Sequence, residues 1–179
     1  MSWYDTVFEV IDMRSFSNLW FWIALAVLWS SVSHWVIGVP FDMIMRARRS
    51  AKNPDDTEAM DDLHDLVRIN VNRILYIADV SGVWLLLFGS AVLTALTVMA
   101  TLYGVEFAQA VLLLCLPMSF VGALTLRTAR KIRQHADREK ALIKRLMMHR
   151  LVTQLIGVVS IFVTAMYGMF KNLYVGPGF

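Results

Sequence analysis

The chain has 179 residues, of which 58% are apolar, and its mean hydropathy is +0.56. These values exclude an ordinary water-soluble domain and predict an integral membrane protein. The net charge of +3 does not indicate nucleic-acid binding, because the Lys and Arg residues cluster beside apolar runs, where they set orientation and contact lipid. The one cysteine, Cys115, excludes an intrachain disulfide and any Cys-based cluster or zinc site built from a single chain.

Residues 1–16 come before the first long apolar run. Their aromatic and aliphatic side chains recur at helical spacing, and acidic side chains occupy the other face. This pattern predicts a short interfacial helix. Because its polar face is acidic rather than basic, we expect it at the outer surface of the membrane.

Four apolar runs are long enough to cross a bilayer, which takes about 20 helical residues. They cover residues 18–39, 81–103, 107–126 and 151–170. Pro40 is expected to end or kink the first helix, and Pro117 to kink the third. The second run carries a set of small residues suited to close helix contact, namely Gly89, Ser90, Ala91, Ala95 and Ala100.

Two polar segments, 41–80 and 127–150, separate these runs and are predicted to be mainly helical. Asn, Pro and acidic residues follow one another at 53–58 in the order expected at a helix start, and apolar periodicity continues to Val80. Asp137 is the best helix start in the later segment. It predicts a helical hairpin that turns near residues 135–137.

The basic residues predict the orientation. Six of the 17 Lys and Arg residues lie between the first and second runs, and nine lie between the third and fourth. By the positive-inside rule both polar segments are cytoplasmic and both termini lie outside. The predicted fold is all-α: a single polytopic membrane domain over residues 1–179, with four transmembrane helices in two hairpins that extend into the cytoplasm.

Candidate sites for cofactors and ions are few. His34 and His149 are both predicted near the cytoplasmic face, where a histidine pair could ligate a b-type haem or contact a quinone. The alternative places His34 in ordinary bundle contacts and His149 in a basic turn.

Asp79 is the ionisable residue nearest the interior of a span, so it is a candidate for proton or ion transfer. The alternative is a structural role, in which the Asp79 carboxylate forms a local ion pair with Arg73 or a hydrogen bond with Tyr76.

An acidic cluster precedes the second run, and a basic stretch precedes the fourth. Asp61, His64 and Asp65 could contact a divalent cation, although the pattern lacks both a calcium loop and a zinc histidine pair. We expect instead that the two charged segments dock on each other, within one chain or between chains. The predicted interaction residues are Asp55, Asp56, Glu58, Asp61, Asp62, Asp65, Arg127, Arg130, Lys131, Arg133, Lys140, Lys144 and Arg145.

Residues 4–26, 33–49 and 61–82 carry a resemblance to a known family. They are similar to small, mostly uncharacterised membrane proteins of photosynthetic and marine alphaproteobacteria, whose members often bear the label "component of SufBCD complex". The resemblance covers most of the chain, implies a bacterial inner membrane and supplies no catalytic or binding residue. The label names an iron–sulfur assembly complex, but one cysteine cannot by itself hold such a cluster.

The chain contains no glycine-rich phosphate loop, nucleophile elbow, metalloprotease signature or carboxylate pair within a span. We therefore expect neither enzymatic activity nor a cofactor. The leading hypothesis is an accessory, assembly or scaffolding subunit of a larger or homo-oligomeric inner-membrane complex, with lipid and other membrane subunits as partners. The alternatives are a homo-oligomeric channel or small transporter that uses Asp79, and a haem or quinone redox subunit that uses His34 and His149.

Overall fold

Long helices make up most of the described chain. The computed structural model describes residue 16 and residues 19–51, 58–135 and 139–174. Within these ranges the helices are α1 (Leu19–His34), α2 (Phe41–Ser50), α3 (Glu58–Thr101), α4 (Glu106–His135) and α5 (Glu139–Tyr174). Two short strands, β1 (Trp35–Val36) and β2 (Val39–Pro40), lie between α1 and α2. The predicted all-α class is confirmed. The predicted interfacial helix and the helix-start signals at 53–57 lie outside the described residues.

Three helices, α3, α4 and α5, are long and apolar enough to cross a membrane. Each one joins a predicted apolar run to a predicted polar segment without interruption. Between α3 and α4 the chain turns at Gly104, which has a φ of +66°. The side-chain amide of Gln109 closes this turn by donating a hydrogen bond to the carbonyl of Ala100 at 2.9 Å. The length and apolar composition of these three helices are those of a membrane protein.

The prediction of one helix over residues 18–39 is wrong at its C-terminal end. Helix α1 stops at His34, and strands β1 and β2 pair in antiparallel fashion. The turn between them places Ile37 and Gly38 at φ values of +55° and +74°. Two successive left-handed residues reverse the chain and cannot continue a right-handed helix. Pro40 then precedes the first residue of α2, where its missing N–H costs no helical hydrogen bond.

The largest apolar core lies among the polar segments and the last residues of the first apolar run. The hairpin, α2, the first half of α3, the end of α4 and the start of α5 all contribute buried side chains to it. Its fully buried centre includes Val39, Ile44, Leu63, Leu75 and Leu146. These segments therefore form a helical bundle with an interior like that of a water-soluble protein.

Within the apolar runs, α1 packs against both α4 and α5. Near one end, Phe16 and Phe21 form a buried cluster with Ala110 of α4. Further along, the ring of Trp29 lies over Gly157 of α5. Helix α3 is different, because Ala100 is the one buried residue described between positions 76 and 101. Helices α1, α4 and α5 thus form a packed unit, and the apolar part of α3 lies at its edge.

Candidate functional site

A cleft beside His149 is one candidate site. The cleft has a volume of about 460 Å³ and lies where the β1–β2 hairpin meets α1, α3, α4 and α5. We call it the histidine cleft. Its lining is apolar except for a few hydroxyl groups and one imidazole, and it consists of Ser31, Val32, Trp35, Ile37, Gly38, Ile74, Met118, Val121, Gly122, Thr125, His149 and Thr153.

The hydrogen bonds of Thr128 determine which nitrogen of His149 carries the proton. The Thr128 hydroxyl donates to the carbonyl of Leu124 at 2.8 Å, and the same oxygen lies 3.2 Å from His149 Nδ1. A hydroxyl has a single hydrogen, so toward His149 this oxygen must accept. The hydrogen is therefore on Nδ1, and Nε2 is left with its lone pair when the ring is neutral.

His149 precedes the apolar run 151–170, and burial lowers the pKa of its imidazole because the charged form loses solvation. The ring is consequently neutral near pH 7, and Nε2 is a hydrogen-bond acceptor. Thr153, one turn further along α5, has a buried hydroxyl with no hydrogen-bond partner among the described residues. The histidine cleft is therefore lined by a neutral imidazole and by the hydroxyl-bearing residues Ser31, Thr125 and Thr153 within a largely apolar wall.

His34 does not join His149 in this cleft. The His34 side chain is exposed, and its ring contacts the ring of Trp35 edge to face at a centroid distance of 5.7 Å. His149 is buried against α4 and is only 5% exposed. The two predicted haem ligands thus lie in different environments, one on the surface and one between helices.

Asp79 is exposed on α3 and has no hydrogen bond or ion pair with any described residue. Its predicted local partners, Arg73 and Tyr76, are exposed as well. Further along the same helix, the hydroxyls of Thr97 and Thr101 donate to carbonyls one turn earlier, each at 2.7 Å. These polar groups lie on the outside of a single chain, and any path lined by them would need additional helices.

The acidic cluster is also exposed. Asp65 forms an ion pair with Arg68 of its own helix at 3.0 Å, and both side chains face solvent. Glu58, Asp61 and Asp62 are exposed and His64 is half-buried, whereas residues 55 and 56 fall outside the described ranges. In the part of the chain that is described, no group of three or more His, Cys, Asp or Glu side chains could hold a metal ion.

The predicted basic residues divide between two surfaces. Arg127, Arg130 and Arg133 are exposed on α4. Lys140 and Lys144 instead line a groove of about 720 Å³ between α2 and α5. We call it the basic groove; its lining is Phe41, Arg48, Ala51, Lys140, Ile143, Lys144, Met147, Met148, Arg150, Leu151 and Gln154.

Several important side chains were missed at the level of sequence. Arg150 packs its guanidinium 3.3 Å from the ring centroid of Phe41 and donates from Nε to the carbonyl of Ser33 at 3.4 Å. Asn70 is buried and donates to the carbonyl of Gly38 at 3.2 Å. One signal for such a contact was available in the sequence. Asn70 occupies a core position in an otherwise apolar helical stripe, and a buried amide requires a hydrogen-bond partner.

Comparison with protein-family models, with curated proteins and with solved structures finds no match for this chain.

Proposed function

We propose that the protein is a non-enzymatic accessory, assembly or scaffolding subunit that joins a membrane complex through the apolar part of α3. The exposure of that helix is the observation that carries the proposal. Trp84 is 74% exposed and Phe88 is 70% exposed, and a side chain added at Gly89 would meet no atom within 4 Å. A second copy or another subunit would supply the missing helix contacts.

The composition of the exposed surface distinguishes a helix interface from a lipid-facing one. Exposed residues of α3 between positions 90 and 101 include the small side chains of Ser90, Ala91, Thr94, Ala95, Thr97 and Thr101. Exposed residues of α5 are larger and include Leu155, Val158, Phe162, Met166 and Met169. Small residues let helix backbones approach closely in a membrane, whereas bulky apolar residues suit contact with lipid tails. We therefore assign the subunit contact to the small-residue side of α3 at positions 90–101, and the lipid contact to α5 and to the bulky exposed residues of α3 at positions 83–88.

We further propose that α1 is a fourth membrane span and that both termini are periplasmic. Contacts along α5 support this, because Trp22 lies beside Gly168, Trp29 beside Gly157, and Ser33 beside Arg150. Over its 16 residues α1 rises roughly 24 Å at about 1.5 Å per residue. That length approaches the hydrocarbon thickness of about 30 Å. Helix α1 would thus run antiparallel to α5 through most of the bilayer.

The subunit contact is tested by co-purification in mild detergent. A tagged chain is compared with the double variant Ala91→Leu/Ala95→Leu, which adds bulk to the small-residue side of α3. We expect the native chain to bring down a stoichiometric membrane partner, and the double variant to lose it while unfolding at the same temperature. Val158→Leu is the matched control, because it adds bulk to an exposed position of α5.

The result also separates the alternatives. Retention of the partner by the double variant would exclude α3 as the contact. A pure ring of identical chains that conducts ions, with conductance altered by Asp79→Asn, would replace the accessory function with a channel. Subunits of an iron–sulfur assembly complex among the captured proteins would support the family resemblance.

We propose a second candidate function, a quinone-contacting redox subunit, because of the histidine cleft. A quinol hydroxyl could donate to His149 Nε2, and a quinone carbonyl could accept from the Thr153 hydroxyl. Organic extraction of the purified protein, followed by chromatography, should then recover quinone. His149→Gln should lose it and the exposed-site control His34→Gln should keep it. Recovery at the level of an unrelated membrane protein would end this candidate.

A further inference from the structure

The basic groove has its two lysines at the end far from the apolar run 151–170, and Met148, Arg150, Leu151 and Gln154 at the end beside that run. Lys140 and Lys144 lie on successive turns of α5, and Arg48 approaches from α2. Further along α5 the lining changes to Met148 and Leu151, which are 54% and 50% exposed. This order of polar and apolar surface runs along one helix toward the apolar run 151–170.

Among the described residues, no acidic side chain lines the basic groove. Arg48, Lys140 and Lys144 are exposed and form no ion pair with any carboxylate in the described ranges. Arg150 adds a fourth cation, which the ring of Phe41 holds in place. Cations that gather from two helices with no carboxylate beside them in the described ranges create a local positive potential, so an anionic ligand is the complementary one.

The position of the groove indicates where that anion comes from. Lys144 precedes Leu151 by seven residues, or about 10 Å along the helix. The headgroup layer adds roughly 5–7 Å to each side of the hydrocarbon core. The flexible side chain of Lys144 therefore reaches this layer, and Arg150 lies at its inner boundary.

We propose that the basic groove binds an anionic phospholipid of the adjacent leaflet. The phosphate would lie among the cations of α2 and α5, and the first acyl carbons would lie over Met148 and Leu151. A volume of about 720 Å³ accommodates a headgroup with its glycerol backbone. An acidic peptide would match the cations but not the apolar end that continues into the membrane. The inference rests on membrane insertion and is independent of the proposed subunit contact at α3.

Native mass spectrometry of the isolated full-length protein tests this inference. Delipidated protein in a non-ionic detergent is titrated with phosphatidylglycerol and, separately, with phosphatidylcholine. We expect one phosphatidylglycerol to be retained much more strongly than phosphatidylcholine. Lys140→Gln/Lys144→Gln should weaken that binding by on the order of tenfold, given the attraction of each basic residue to an anionic surface. Arg48→Gln should weaken it separately, since this residue approaches from another helix.

The matched control is Arg127→Gln/Arg130→Gln, which removes the same charge from exposed positions of α4 outside the groove. It should change phosphatidylglycerol binding less than twofold. Equal weakening in both double variants, or equal retention of phosphatidylcholine, would overturn the proposal. Displacement of the lipid by inorganic phosphate or glycerol phosphate at similar concentration would show an anion site that needs no acyl chain, which also overturns it. Thermal unfolding of each variant verifies that the exposed substitutions leave the fold intact.

Discussion

At the scale of single residues, Gly157 and Gly89 differ in what surrounds them. A β-carbon on Gly157 would lie 2.8 Å from Cε3 of the buried Trp29 ring, whereas one on Gly89 would meet nothing within 4 Å. The first contact is shorter than real carbon contacts, and the ring is enclosed by α1 and α4 neighbours. Gly157 is therefore required for the close approach of α1 and α5.

We predict that Gly157→Ala lowers the free energy of unfolding by about 1–3 kcal/mol, as overpacking of an enclosed site does. Gly89→Ala, the matched control, should leave stability unchanged or raise it slightly, since alanine favours helix over glycine by up to about 1 kcal/mol. Chemical unfolding in detergent, followed by circular dichroism, measures both. Equal effects of the two substitutions would show that α1 does not pack closely on α5.

His149 gives stability a pH dependence of definite sign. Its pKa is lowered by burial in the folded chain, while an unfolded histidine titrates near 6.5. As the pH falls below about 6.5, the unfolded chain takes up a proton that the folded chain resists. This contribution to stability is therefore fully present above about pH 6.5 and is lost as the pH falls toward the folded pKa.

We predict that the midpoint of thermal unfolding decreases between pH 7 and pH 5, and that His149→Gln reduces this decrease. Glutamine keeps a polar side chain at the position but does not titrate. His34→Gln, at an exposed ring, should retain the decrease seen in the native chain. Identical pH profiles for the native chain and His149→Gln would contradict the assignment.

At the scale of elements, the β1–β2 hairpin depends on one distant side chain. Asn70 of α3 donates to the carbonyl of Gly38, and its amide lies about 3 Å from the position of a β-carbon on that glycine. The hydrogen bond crosses 32 positions of sequence. It offsets part of the cost of placing the β-branched Ile37 at positive φ.

We predict that Asn70→Ala destabilises the fold by about 1–3 kcal/mol, because it removes this hydrogen bond and leaves a cavity beside the turn. Asn72→Ala, two positions further on α3 at an exposed site, should have little effect. Limited proteolysis within residues 35–40 and thermal unfolding would report the loss. Similar behaviour of the two variants would mean that Asn70 does not hold the hairpin.

The same elements show what local sequence could and could not predict. The runs 107–126 and 151–170 lie within long helices, and the run 81–103 is helical as far as Thr101, because twenty apolar residues favour that structure strongly. The end of α1 was missed, since Ile37 disfavours the left-handed conformation and only contacts with α3 make it stable. The Thr128–His149 pair and the meeting of Arg48 with Lys144 depend on which helices are neighbours. Periodicity within one segment does not contain that information.

At the scale of the whole molecule, the crossing of α1 determines the number of spans. Helix α1 has 16 residues, which is short for a span, yet its contacts extend along α5 from Arg150 to Gly168. If α1 crosses, the N-terminus lies on the same side as the α3–α4 turn. The opposite orientation of the whole bundle would place the N-terminus and the α3–α4 turn together in the cytoplasm.

Cysteine labelling distinguishes these two arrangements. In a Cys115→Ser background we introduce one cysteine per chain, at Ser2→Cys, at Gly104→Cys or at Ala141→Cys, and treat intact cells with a maleimide that cannot cross membranes. We predict that the cysteines introduced at positions 2 and 104 react, and that the one at position 141 reacts only after lysis. Because fifteen of the 17 Lys and Arg residues lie between the first and second or between the third and fourth apolar runs, the positive-inside rule favours this pattern. Labelling of intact cells at position 141 but not at position 104 would mean that the bundle has the opposite orientation.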